Sequence, residues 1–288
     1  MTPVDWDIPK FPLDDLSDDA LTWLTTNGSA LTRGISRIVS DWIEVFSTAL
    51  VAVPPWLLIG LVALGAWRLG GWKLGLLAGA GLAFLWNLRL WQPTVETFVL
   101  MTLAVIAALV IGIPLGILCG LNNRGWRAVS PGLDMMQTMP SFVYLIPAIP
   151  FFGLGPVSAC LATVVMSVPP AIRLTALGIR GVPADMVEAA DAFGSTPAQK
   201  LWKVQLPLAL PTIMAGINQT IMLALSMVVI AAMIGAGGLG REVWRSIQRL
   251  EAGAGLEAGL AIVIVAVILD RITQAMAQRM RPSGANPA

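Results

Sequence analysis

Histidine is absent from the 288 residues. That removes the commonest metal ligand and the commonest general base at neutral pH. Charge is scarce as well. Only 12% of the chain is Asp, Glu, Lys or Arg and 56% is hydrophobic, where a soluble domain carries about 25% charged residues. This balance points to an integral membrane protein. Cysteine is limited to Cys119 and Cys160, both inside apolar runs, so no disulfide framework is implied and both read as small packing residues. The pattern G-x-x-x-x-G-K-S/T occurs nowhere, so the chain does not bind ATP by that route. The net charge of +1 suggests neither nucleic acid nor an acidic substrate. The opening "MTPVDWDIPKFPLDDLSDDA" lacks a basic segment followed by an apolar one, and is not expected to act as a signal peptide.

The rest is long, apolar and interrupted in places that can be read. A bilayer-crossing helix needs roughly 20 mostly apolar residues. Val45 to Trp67 fits one, Leu74 to Leu88 a shorter second, and Thr97 to Asn123 a third. Met135 to Ile172 is too long for one helix and is expected to break at "GLGP", 153 to 156. Leu208 to Leu239 gives another span, and Ala258 to Leu269 a weaker last one that starts as early as Ala252 if extended. The expected architecture is an all-α polytopic bundle of about seven spans. It divides into an acidic tail at 1–44, two spans in 45–92, a core of five spans in 93–275 and a tail at 276–288. Loop charges set the orientation. With the N-terminus outside and the C-terminus cytoplasmic, the inner segments carry eleven Lys and Arg residues and the outer ones seven. On the outer side "GAGGLGREVWRSIQRLEAGAG", 235 to 255, reads as a tight glycine turn followed by a short amphipathic helix.

One polar stretch lies on the inner side between two of the most apolar runs: "EAADAFGSTPAQKLWKVQLP", 188 to 207. Its signals predict two short helices. The first starts near Pro183, with Asp185 and Glu188 in its early turns. Met186, Ala189, Ala190 and Phe193 form an apolar face expected to lie on the membrane-embedded body, with Glu188 pointing away. Gly194 suits the left-handed position that ends it. The second is capped by Thr196 with Pro197 and Gln199 in a capping box, and Pro207 is expected to help stop it. Long ordered loops are usually functional.

The same residues carry a resemblance. Glu188-Ala189-Ala190, Gly194 three residues later, and Val204-Gln205-Leu206-Pro207 nine residues beyond that are similar to the E-A-A loop of permease subunits of ATP-binding-cassette importers. "MQTMPSFVYLIPAIPFFGLG", "SVPPAIRLTALGIRGVP" and "MLALSMVVIAAMIGAGGLG" further resemble permeases for glycine betaine and related quaternary amines. The resemblance implies a type I importer permease fold, with the loop at 178–207 as a cytoplasmic coupling helix. Glu188, Ala189, Ala190, Gly194, Leu206 and Pro207 would dock an ATPase subunit. It also implies two permease copies, two ATPases that hold ATP and Mg, a substrate-binding protein outside, no cofactor in this chain, and no catalysis by it.

Candidate pathway residues come from polarity within the spans. The proline-rich run from Pro140 to Pro170 frees backbone carbonyls, tolerated at membrane depth where they face protein or a cavity. Gln137, Thr138, Ser141 and Tyr144, the only tyrosine, are candidates there, since a trimethylammonium group slides past aromatic faces by cation–π contact. Bent but ordinary helix packing is the alternative. Asn218, Met222 and Ser226 are candidates in the sixth span, with interhelical hydrogen bonding and gap filling as the competing readings. The solute is expected to be glycine betaine or a related quaternary amine; choline, carnitine or an amino acid is the alternative. A gradient-driven carrier is disfavoured because buried carboxylates are nearly lacking.

Overall fold

The computed structural model describes residues 13–280. Twelve α-helices account for almost all of that length, and no strand occurs among the described residues. Helix α1 (Leu13–Ala52) is followed by α2 (Pro55–Gly70) and α3 (Trp72–Asn87). Then come α4 (Trp91–Leu121), α5 (Asn123–Thr138), α6 (Leu145–Phe152) and α7 (Pro156–Arg180). Two short helices, α8 (Ala184–Ala192) and α9 (Pro197–Lys200), lead into α10 (Leu206–Ala232), α11 (Leu239–Arg249) and α12 (Ala252–Arg279).

The centre of the bundle is α7, flanked by α4 and α10. Small residues bring these helices close, as expected where lipid gives no hydrophobic drive for helices to associate. Gly112, Gly116 and Gly120 form a stripe along α4 facing Ala171, Thr175 and Ile179 of α7. A Cβ on Gly116 would sit 2.6 Å from Thr175 Cβ and 2.7 Å from the Ile172 carbonyl oxygen. The register runs the same way along both helices, so α4 and α7 are parallel. On the other side Gly178 meets Ala209 and Thr212, and Gly216 meets Leu174 and Pro170, so α10 is antiparallel to α7. Helices α2 and α3 form a hairpin through Gly71, whose φ of +85° suits glycine, and α12 packs on both through Ala66, Ala78, Ile268 and Ala275.

Several span expectations change at this level. Val45 to Trp67 is not one helix: the chain turns by 99° between α1 and α2. Pro54 precedes Pro55, so Pro54 is held extended with ψ 133° and neither ring donates a hydrogen bond. Residues 13–44, expected as an acidic tail, belong to the helix α1, which lays Val39 and Ile43 on the core while Leu24, Leu31, Ile38 and Val45 face outward. Residues 1–12 of that tail, and 281–288 of the C-terminal one, lie outside the described residues. The break at "GLGP" is present, with Gly153 and Gly155 at φ +76° and +132°. A second break of 112° precedes it, between α5 and the 3-10 turn Ser141–Tyr144, again at a proline, Pro140. The last span is longer than expected and starts at Ala252. Among the described residues four helices are long and apolar enough to cross a membrane, or up to six if each bent pair counts as one. About seven were expected; α3, at 16 residues, is one that falls short.

Candidate coupling surface and pathway

The polar stretch folds as a closed helix–turn–helix. Helix α8 begins one residue later than expected, with Pro183 as its cap. It ends in a Schellman motif: Ser195 N–H donates to Ala190 O at 3.0 Å and Gly194 N–H to Asp191 O at 2.9 Å. Gly194 takes the left-handed φ of +73° that this motif requires. The capping box of α9 is present in both directions. Thr196 N–H donates to Gln199 Oε1 at 2.9 Å, and Gln199 N–H to Thr196 Oγ1 at 3.3 Å. Lys200 Nζ then bridges to Asp191 at 2.8 Å and locks the two helices together.

Two expectations about this stretch are corrected. Pro207 stops nothing, because the helix runs on from Pro197 to Ala232. In a regular α-ladder its ring would strike the carbonyl of Lys203. The chain widens instead into a π-helical turn over Leu201–Gln205, with Leu206 N–H donating to Leu201 O. The apolar face is also not packed down on the body. Ala190 is buried, but Met186 is 46% exposed, Trp202 70% and Phe193 91%. Glu188 and Ala189 are exposed beside them, as is Pro207, while Leu206 packs near Ile179 and Ala209. Behind the loop lies a cavity of about 600 Å³, lined in part by Gly120, Arg180, Glu188, Lys200 and Gln205. Arg180 closes its floor, with its guanidinium 5.4 Å from the Trp126 ring and hydrogen-bonded to Asn123 Oδ1. The loop is therefore tied together within itself and exposes Met186, Phe193 and Trp202, while Glu188 lines the cavity behind it.

The candidate pathway residues fall into two groups that no hydrogen bond joins. Gln137 and Thr138 are exposed at the end of α5, and Ser141 is half-buried just beyond the 112° break. The Thr138 hydroxyl is engaged with Met135 O at 3.0 Å. Tyr144 differs: its side chain is buried in the core, and its hydroxyl has no partner. Asn218, Met222 and Ser226 stand at four-residue spacing on one face of α10. Asn218 Nδ2 donates to Asp270 Oδ1 of α12 at 2.9 Å, an interhelical bond of the kind the sequence raised as an alternative. Met222 is half-buried, and Ser226 is exposed with its hydroxyl on Met222 O at 3.0 Å.

Three features had escaped the sequence reading. The first is the glycine stripe 112/116/120, visible in hindsight as small residues every fourth position. The second is a clamp at the far end from the 184–205 loop. The turn 235–240 lies against the start of α4, where Gly238 N–H donates to Glu96 Oε2 and Leu239 N–H to Thr97 Oγ1, both at 2.8 Å. Arg241 joins Glu96 at 2.9 Å. Helix α11 is thus capped by side chains 142 residues earlier in the chain, which no local pattern reveals. The third is an ion pair between Arg173 of α7 and Asp134 of α5 at 2.5 Å.

A capped polar loop thus projects from an apolar helix bundle. Residues 112–282 match the family of binding-protein-dependent transport system inner membrane components, and the chain belongs to that family. The glycine betaine transport system permease protein OpuAB of Bacillus subtilis is 47% identical over 96% of this chain and 98% of its own length. The glycine betaine/carnitine transport permease protein GbuB of Listeria monocytogenes is 49% identical over 95% and 98%. ProW of Escherichia coli, a glycine betaine/proline betaine permease, is 44% identical over 95% and 77%. Among solved structures, the MetNI methionine ABC transporter in inward-facing conformations superposes with a TM-score of 0.60 at 23% identity. That match covers 65% of this chain and 93% of the other, and shows a shared fold.

Proposed function

We propose that this chain is the membrane permease of an ATP-driven importer that carries glycine betaine or a related quaternary amine by alternating access. The observation that carries the reading is the capped loop 184–205. It exposes Met186, Phe193, Trp202 and Glu188 on a stiff frame, in a chain whose relatives are glycine betaine permeases. Two copies form the pathway and one ATPase docks on each loop, supplying ATP and Mg. A substrate-binding protein delivers solute at the opposite end, with the N-terminus outside and the C-terminus cytoplasmic. Helix α10 continues without interruption from α9, so 36 residues run as one rod of about 54 Å from the docking loop to the glycine turn. ATPase closure pulling on the loop moves this rod and shifts the balance between inward- and outward-open states.

The test uses Glu188→Lys and Gly194→Leu in cells supplying the partner subunits. Leucine at Gly194 is forced into a left-handed conformation that costs about 1–2 kcal/mol and loosens the turn. Both variants are expected to reach the membrane at normal levels and to lose ATP-driven betaine uptake and co-purification with the ATPase. Normal uptake in both sinks the coupling assignment.

A further inference from the structure

The ion pair between Arg173 and Asp134 is unusual in its setting. Arg173 lies seven residues before the end of α7, about 10 Å inside the helix. Charged side chains at such depth are kept where they face a cavity, a partner or a path. This pair is not sealed: the side chains are 35% and 61% exposed. It is also not saturated. Among the described residues the guanidinium meets Asp134 through Nη2 alone, and its Nε is buried without a partner. Asp134 belongs to α5, which is bent by 112° from the segment after it. Gln137 and Thr138 follow within a turn on α5, and Leu177, 57% exposed, stands one turn beyond Arg173 on α7.

We propose that Arg173 and Asp134 form an inner station of the pathway for small zwitterions: the guanidinium takes the carboxylate of the solute and Asp134 takes its onium group. The physical reason is charge exchange. Separating a partly buried ion pair leaves two uncompensated charges, which is costly. A zwitterion entering between them compensates both at once, and its carboxylate also satisfies the orphaned Nε in the fork geometry that arginine favours. A monocation such as choline answers Asp134 alone and leaves Arg173 unpaired. The station therefore distinguishes betaines from amines that lack a carboxylate, within the reading that this chain moves quaternary amines.

The experiment places a thiol one turn away, by Leu177→Cys, in the assembled transporter in inside-out vesicles. The native thiols Cys119 and Cys160 are buried, at 4% and 2% exposure, so a membrane-impermeant thiol reagent reads the introduced one. ATP-driven betaine uptake by this parent is recorded first in intact cells. Glycine betaine is expected to slow labelling up to about threefold when it stands at twice its dissociation constant. Choline at the same concentration should slow it far less. Protection by glycine betaine should vanish with Arg173→Gln and with Asp134→Asn. It should also weaken with Arg173→Lys, which keeps the ion pair but loses the fork, whereas a mere structural staple would tolerate lysine. Equal protection by choline, protection that survives Arg173→Gln, or no protection in a parent that transports would each overturn the inference and leave the functional reading standing. A parent that neither transports nor shows protection would overturn both.

Discussion

Replacing Gly116 with alanine adds one methyl where two unyielding atoms already stand. The new Cβ would lie 2.6 Å from Thr175 Cβ and 2.7 Å from the Ile172 carbonyl oxygen, where ordinary contact begins at 3.4 Å. Neither neighbour is the free end of a flexible side chain, so α4 and α7 must part by roughly 0.8 Å, and tight packing of this kind resists strain. Overpacking costs about 1–3 kcal/mol. Against it stands the gain from replacing glycine within a helix, about 0.5–1 kcal/mol. The net is a destabilisation of roughly 0–2.5 kcal/mol, larger for Gly116→Val, whose branched side chain meets the same wall. Gly259 on α12 supplies the control, because nothing lies within 4 Å of its Cβ position. There the methyl adds helix propensity without collision, so Gly259→Ala is expected to be stabilising by roughly 0.5–1 kcal/mol. Thermal unfolding of the purified protein in detergent, followed by tryptophan fluorescence, should show the two alanine variants shifting in opposite directions. The refuting result is a Gly116→Ala protein as stable as Gly259→Ala, since the α4–α7 approach would then not depend on the missing side chain.

Two further substitutions probe the ends of the rod formed by α9 and α10. Glu96→Ala removes the acceptor for Gly238 N–H and the partner of Arg241. About 1.5–3 kcal/mol of charge-assisted bonding is lost, and limited proteolysis should cut 235–250 faster, with Glu96→Gln restoring most of the protection. Thr196→Ala removes the side-chain half of the capping box. It should cost about 0.5–2 kcal/mol locally, read as faster amide hydrogen exchange at 197–205 with the exchange of α7 unchanged.

The sequence by itself determined what local chemistry can encode. Apolar length and the lack of charge set the membrane class. Proline and glycine marked the break at 153–156, and the caps at Thr196 and Gly194 placed the helix–turn–helix almost to the residue, because each is satisfied by groups within five positions in the chain. Proline was read less well where its effect depended on its neighbours. Pro54 and Pro140 turn the chain inside runs that looked like single spans, whereas Pro207 was absorbed by a widened turn. Tertiary structure alone decided the rest. Whether Phe193 packs down or stands out depends on how the loop sits on the bundle, and it stands out, 91% exposed. Tyr144, a candidate for the path with helix packing as the alternative, lies buried in the core. The clamp of Glu96 on Gly238 and the pairing of Arg173 with Asp134 join residues 142 and 39 positions apart. Such meetings follow from how helices settle against one another through their small-residue faces, and that arrangement is a property of the whole bundle.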